Sequence, residues 1–331
     1  MQLTTPVETV KNGLKIGHKS KIMLLGSCFA QNIGQKLQEC KFNVCSNPFG
    51  IVYNPLSIST ILQRIVSGKA FDANSPEIFE HAEMWHSILH HSDFSRKTKE
   101  DFLANTNNSL AAAHNLIKES DVIIITFGTA YAYERASDGL VVSNCHKLPA
   151  KTFNRRLLRP EEIVEQMSKA INGIIALRPE VKFIFTVSPI RHLRDGAHDN
   201  QLSKATLLIA TEELRRHFPN RCDYFPSYEI MMDELRDYRF YADDMTHPST
   251  LAIEYIWEKF ATQHITEESL TLNHSIEDIT RGLAHRPFDP ESKGYKKFVG
   301  DIMQKIAQIK GKHPYLDFEK EEEKCNTLLN K

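Results

Sequence analysis

The chain has 331 residues, enough for one large domain or two medium ones around a substantial apolar core. Its 41 Lys and Arg residues against 42 Asp and Glu leave a formal net charge of −1, so there is no global basic field to gather nucleic acid or anionic lipid. Six cysteines without a CxxC pair argue against a zinc ribbon or a disulfide framework, the first residues lack the apolar core of a signal peptide, and no run approaches membrane-spanning length. These features together predict a soluble, cytoplasmic protein with neither a nucleic-acid nor a membrane partner.

Residues 1–20 are polar and read as an extended lead-in. The apolar run Ile22 to Leu25 has the length of a buried strand and stops at Gly26, where the chain is free to turn. Ser27 and Cys28 follow, and then Phe29, Ile33 and Leu37 recur every four residues, as on the buried face of a helix. Two nucleophilic side chains thus stand at a strand-to-helix turn, where unpaired N–H groups and the helix dipole favour negative charge. An inert alternative exists, with Ser27 capping the helix and Cys28 packed inside.

Phe42 to Cys45 is a short strand running into the turn-prone Asn47-Pro48-Phe49-Gly50, and Pro55 opens a helix closed by Gly68. Residues 71–97 lack regular periodicity and hold an aromatic, histidine-rich patch from Trp85 to Phe94. His86 and His90 are four apart, a spacing that serves metal ligands on a helix, and His146 would be a third donor. With no HExxH string the expectation is no metal and no cofactor, with Trp85 and His86 lining a pocket. A polar helix covers about 98–119.

The continuous run Asp121 to Phe127 predicts a strand covered on both faces, ending at Gly128-Thr129-Ala130. Tyr131 to Val142, with Asp138-Gly139 at its centre, predicts a β-hairpin, and the basic stretch Asn154 to Arg159 precedes a helix opened by Pro160. Val181 to Val187 is a further strand, ending near Arg191, His192 and Arg194, a group suited to a carboxylate or phosphate. A helix over about 200–217, a short strand at Asp223 to Phe225 and a short helix over 227–235 follow. The loop Tyr241 to Pro248 then leads into a helix buried through Ile253, Ile256, Trp257 and Phe260. Beyond Thr266 the pattern loosens into a Pro-interrupted linker, an amphipathic helix near 298–309 and a charged, solvated tail.

Strands alternating with helices imply an α/β fold, a three-layer α/β/α sandwich around a mainly parallel, flavodoxin-like sheet over residues 1–265, with a helical C-terminal extension over 266–331. The string Gly26-Ser27-Cys28-Phe29-Ala30, the Gly128-Thr129 pair, Asp244-Met245-Thr246-His247, and the stretches WHSILHHSDFS, NCHK, SPIRHLRDG and FYADDMTHPS resemble the GSCFA family, within the SGNH/GDSL esterase group. That resemblance implies a hydrolase or acyltransferase acting on a small-molecule or carbohydrate-type ester or thioester. The nucleophile would be Ser27 or Cys28, with His247 as general base and acid and Asp244 orienting it; the alternative is a non-catalytic protein on a degenerate version of the fold. The group's usual oxyanion-hole Asn is replaced here by Ala130. The N–H groups of Cys28 and Gly50 are therefore expected donors, Gly128 and Thr129 border the site, and Asn144 or His146 would supply the missing side chain.

Overall fold

The structure is a computed structural model in which residues 5–8 and 13–329 are described. The lead-in expected over residues 1–20 thus lies partly outside the described residues. Ten strands and ten helices are numbered here in chain order. The central sheet holds β1 (Lys21–Gly26), β2 (Asn43–Ser46), β5 (Val122–Phe127), β9 (Lys182–Val187) and β10 (Cys222–Phe225) in the order β10-β9-β5-β1-β2, every pair parallel. The winding direction reverses between β1 and β5, the point at which open α/β sheets leave a crevice at the carboxyl ends of their strands.

Alternation along each strand divides the core in two, because successive side chains point to opposite faces. Met23 and Leu25, with Ile123, Ile125, Phe183 and Phe185, pack under α2 (Pro55–Ser67), α3 (Lys99–Ile117), α4 (Pro160–Leu177) and α5 (Ala197–His217). Ile22 and Leu24, with Val122, Ile124 and Ile184, pack under α1 (Cys28–Glu39) and α7 (Thr250–His264). Burial on both faces explains why these strands read as unbroken apolar runs. The result is the expected three-layer α/β/α sandwich. Between β10 and α7, the segment expected as a short helix is one turn, α6 (Ser227–Glu229), widening into a π turn at Ile230–Glu234. No helix among the described residues is long and apolar enough to cross a membrane.

One small sheet escaped the sequence reading and a second was read only in part. Strands β3 (Ile78–His81) and β4 (Met84–Ser87) form a hairpin whose turn residues, Ala82 and Glu83, carry φ of 51° and 59°. Such turns are usually signalled by Asn-Gly, which is absent here. The predicted hairpin β6 (Tyr131–Arg135) and β7 (Val141–Val142) is present, but β6 also pairs with β8 (Phe153–Leu157), largely within the basic stretch to which the sequence assigned no element. Its charged residues have poor strand propensity, and cross-strand pairing overrides it.

The C-terminal expectation needs a larger correction. Residues 267–329 form α8 (Glu267–Ala284), α9 (Lys293–Lys312) and α10 (Glu319–Leu329) around an apolar cluster of their own, including Ile276, Ile306, Phe318 and Cys325. The supposed solvated tail is a helix anchored by fully buried Cys325, and Lys41 pairs with Glu321 at 2.6 Å to tie it to the first unit.

Gly26 sets the geometry at the end of β1. Its φ is +142°, and a Cβ there would stand 2.2 Å from the Thr126 carbonyl oxygen on β5, a backbone atom that cannot yield. Gly26→Ala is therefore expected to destabilise the chain by about 2–4 kcal/mol, read as a lower urea midpoint at unchanged m-value; an unchanged midpoint would contradict the close approach.

Candidate active site

One residue separates β1 from α1. Ser27 is the helix N-cap, with φ −69° and ψ 177°, and its Oγ accepts the Phe29 N–H at 3.2 Å. It is 1% exposed. Cys28 is the first helical residue and only half-buried; its N–H has no carbonyl one turn back and no acceptor among the described residues. Both border a cleft of about 590 Å³ that His247 also lines. The serine oxygen is engaged in the cap, whereas the thiol has the tyrosine hydroxyl of Tyr53 for a neighbour. Burial, with the adjacent Cys28, pushes that phenol up to about 12.

The turn is framed from the next strand. Asn47, after β2, accepts the Gly26 N–H through Oδ1 at 2.8 Å and donates its own N–H to the Leu24 carbonyl. The Val52 N–H donates to the Gly26 carbonyl at 3.0 Å.

Asp244 and His247 meet as their spacing implied. Asp244 Oδ1 accepts the N–H groups of Thr246 and His247, each at 2.9 Å, and Oδ2 lies 2.5 Å from His247 Nδ1. A carboxylate only accepts, so Nδ1 carries the proton and Nε2 is left as a base, without a partner among the described residues. Bonds from the His247 and Thr246 amides, then from the imidazole, hold the Asp244 carboxyl far below the usual carboxylate range. The dyad is half exposed, 48% at His247 and 51% at Asp244. The loop is closed by the Ala242 N–H bonded to the His247 carbonyl and by the Tyr241–Pro248 bridge.

The expected oxyanion groups require correction. The Gly50 N–H is spent inside the turn, on the Asn47 carbonyl at 2.7 Å. Gly50 (φ +80°) is instead needed because His91 packs where a Cβ would be. The N–H groups of Gly128 and Thr129 both donate to the Tyr53 carbonyl, at 2.8 and 3.1 Å, so this pair holds Tyr53 in place rather than offering donors. Ala130 is buried, with its N–H on Ser203 Oγ. Asn144 lines the cleft, but its Oδ1 accepts the His146 N–H and its amide faces Ser92.

Trp85, His86 and His146 do not line the cleft. Lys99 covers the Trp85 ring at 4.6 Å, and both His86 nitrogens are engaged, Nδ1 with Ser95 Oγ at 2.7 Å and Nε2 with the His81 carbonyl at 3.0 Å. His146 Nε2 bonds the Ser87 carbonyl, and burial pulls its pKa down to about 4. His90 is fully buried and stacked on Phe49. Among the described residues no group of three or more His, Cys, Asp and Glu side chains stands ready to hold a metal. Arg191 and His192 do line the cleft; burial and then Lys204 pull His192 down to about 4.

Four contributors were missed in the sequence. Tyr53 and the α2 cap Asn54 line the cleft just before an ordinary-looking helix start. Arg155 reaches it from β8. Lys204, on α5, is fully buried without a carboxylate partner among the described residues, and its Nζ donates to the carbonyls of Gly128 at 2.7 Å and Ser188 at 2.8 Å. It thereby ties the ends of β5 and β9 together at the cleft. A lysine in a helical pattern gives no sign of burial, so only Lys204's place one turn inside the apolar face hinted at it.

The fold and site define an α/β protein of the doubly wound kind, with a Ser-Cys turn after the first strand and an Asp–His pair on the loop before the last core helix. The chain belongs to the GSCFA family: residues 21–260 match it, and residues 276–331 match the GSCFA domain protein, C-terminal domain. A comparison with curated proteins returns no sequence match. Among solved structures the chain is similar to a carbohydrate esterase family 3 protein from Talaromyces cellulolyticus, at 11% identity over 78% of this chain and 99% of that one, with a TM-score of 0.33. It is similar to a family 3 carbohydrate esterase from Clostridium thermocellum at 14% identity over 80% and 99%, TM-score 0.32. A third likeness is to the acetyl xylan esterase Est2A from the rumen bacterium Butyrivibrio proteoclasticus, at 8% identity over 74% and 64%, TM-score 0.37.

Lys204→Met keeps the volume but leaves the Gly128 and Ser188 carbonyls without their donor, an expected loss of about 1–3 kcal/mol. Burial, and then Arg191, pull Lys204 down to about 7. The unfolded chain therefore binds one more proton than the native state between about pH 7 and pH 10, and native stability gains with rising pH there. The stability gap between wild type and Lys204→Met should widen over that window, by at most about 1.4 kcal/mol per unit. A gap independent of pH in urea titrations would contradict the assignment.

Proposed function

We propose that the chain is an SGNH-type hydrolase or acyltransferase that cleaves an ester or thioester through an acyl-enzyme on Cys28. The observation that carries this reading is His247, anchored through Nδ1 on Asp244, in the cleft onto which Cys28 opens. His247 Nε2 takes the thiol proton as Sγ attacks the carbonyl carbon, and the carbonyl π electrons move to oxygen. The Cys28 N–H and the Tyr53 hydroxyl, both beside the thiol in the cleft, are the donors for that oxygen. Collapse breaks the bond to the leaving alcohol or thiol, which receives the proton from His247. Water or an acceptor hydroxyl, deprotonated by the same Nε2, then attacks the thioester and restores Cys28. Residues 1–265 form the catalytic unit in this reading, and 266–331 an extension packed on it.

Cys28 is favoured over Ser27 because the serine oxygen caps the helix and is the more buried. One observation favours a non-catalytic binding protein instead: a buried Ala130 stands where the SGNH group places its oxyanion Asn.

Hydrolysis of p-nitrophenyl acetate separates the two. Cys28→Ala and His247→Ala should each lower kcat/KM by about 10³-fold or more, and Asp244→Asn by about 10²-fold through loss of the imidazole's anchor. Tyr53→Phe should cost about 10-fold to 10²-fold, mainly in kcat. Iodoacetamide should label Cys28 more slowly once His247 is Ala. A fluorophosphonate adduct on Ser27 would move the nucleophile by one residue, and turnover indifferent to His247 would end the catalytic reading.

A further inference from the structure

The charges that face the cleft do not balance. Three arginines, Arg155, Arg191 and Arg194, line it with a single carboxylate, Asp195. Asp195 is already committed, since its Oδ1 pairs with Arg155 at 2.6 Å. The Arg155 guanidinium carbon stands over the Tyr131 ring, 3.7 Å from its centroid, a contact that orients it while leaving other N–H groups free. Arg191 has no carboxylate partner among the described residues, and its Nε is buried without an acceptor. An unpaired, half-buried guanidinium is costly unless something else in the cleft satisfies it.

The position of this arginine ties it to the reacting groups. The Arg191 backbone amide, at 3.5 Å from the carbonyl of Thr246, the residue before His247, places this residue beside the dyad loop. The neighbouring His192 ring meets Tyr53 edge-on at 6.0 Å, and Tyr53 is the residue beside the Cys28 thiol. Burial, with the nearby cations Lys204 and Arg155 and with His247, keeps His192 neutral at physiological pH, so it adds a hydrogen-bonding group rather than charge. The fully buried Lys204, pulled down to about 7, is largely neutral above that pH, so the positive charge that faces the cleft is that of the arginines.

We propose that the cleft selects acyl substrates bearing an anionic group, a carboxylate or a phosphate, which Arg191 binds on the histidine side of the cleft. The proposal deepens the acyl-transfer reading and rests on it for the position of the reacting carbonyl. A guanidinium fork offers paired N–H donors that match the planar oxygens of a carboxylate or two oxygens of a phosphate. Because Asp195 neutralises Arg155, the surplus charge resides on Arg191 and Arg194, and Arg194 is exposed to solvent and correspondingly weaker.

The direct test is binding by the full chain, without turnover. Succinate and inorganic phosphate are titrated calorimetrically at constant ionic strength against wild type, Arg191→Gln, Arg191→Lys and Arg194→Gln, with succinamide as the uncharged control. The proposal expects saturable binding of at least one anion and none of succinamide. It expects about tenfold or greater weakening in Arg191→Gln, partial recovery in Arg191→Lys and a small effect in Arg194→Gln. Preference for succinate or for phosphate identifies which anion the site takes. General stabilisation by these salts is the same in every variant, so it does not mimic this pattern. No saturable binding, or binding unchanged in a folded Arg191→Gln, overturns the proposal. Protection of Cys28 from neutral iodoacetamide by the bound anion, measured by site-resolved mass spectrometry, is also expected; binding without protection would place the anion elsewhere. Failure of the catalytic reading shows separately, as His247-independent turnover of neutral p-nitrophenyl acetate.

Discussion

The close approach of β1 and β5 at Gly26 is the constraint on which the site depends. The Gly26 backbone comes so near the Thr126 carbonyl that no side chain fits between them. The chain therefore turns at once into α1 and places Ser27 and Cys28 level with the carboxyl ends of the neighbouring strands. In the sheet register Gly26 is opposite Thr126, and Thr126 is opposite Thr186, so three strands finish together. The back of the cleft hangs from those ends. Asn47 braces the turn from β2, the Gly128-Thr129 amides grip Tyr53 from β5, and Lys204 joins β5 to the segment after β9.

Rigidity on this side is matched by a more open partner. The Asp244–His247 dyad is half exposed, yet its loop is internally tied, because one carboxylate oxygen holds two backbone amides while the other holds the imidazole. The carboxylate thus orients the ring twice, through the loop's backbone and through Nδ1. A salt bridge at this exposure contributes little to stability. Its consequence lies in fixing a tautomer, which is a chemical effect rather than a stabilising one.

Much of this was legible in the residues. Short apolar runs ending in Gly, with helical periodicity after them, marked the sheet strands and their ends, and the DxxH spacing marked the dyad. What failed did so for definite reasons. Hydrogen bonds already made within a turn are invisible in sequence, so Gly50 looked like a donor when its N–H was engaged with the Asn47 carbonyl. A charged strand such as β8 and a two-residue turn without Asn-Gly carry no propensity signal, which hid Arg155 and the β3–β4 hairpin. The tail from Glu319 looked solvated because its burial rests on few residues, Cys325 among them, in a helix otherwise rich in Glu and Lys. Lys204 was lost to the same rule from the other direction, as a charge that is buried.

The central claim is that the thiol of Cys28, and not the hydroxyl of Ser27, accepts the acyl group under the control of His247. The measurement that tests it most directly is rapid acid quenching during turnover of p-nitrophenyl acetate, followed by peptide mapping of the acetylated residue. The account predicts an acetyl group on the Cys28 sulfur in the wild-type chain and its loss in His247→Ala. An acetyl group on Ser27, or one on Cys28 that forms equally fast without His247, would contradict it.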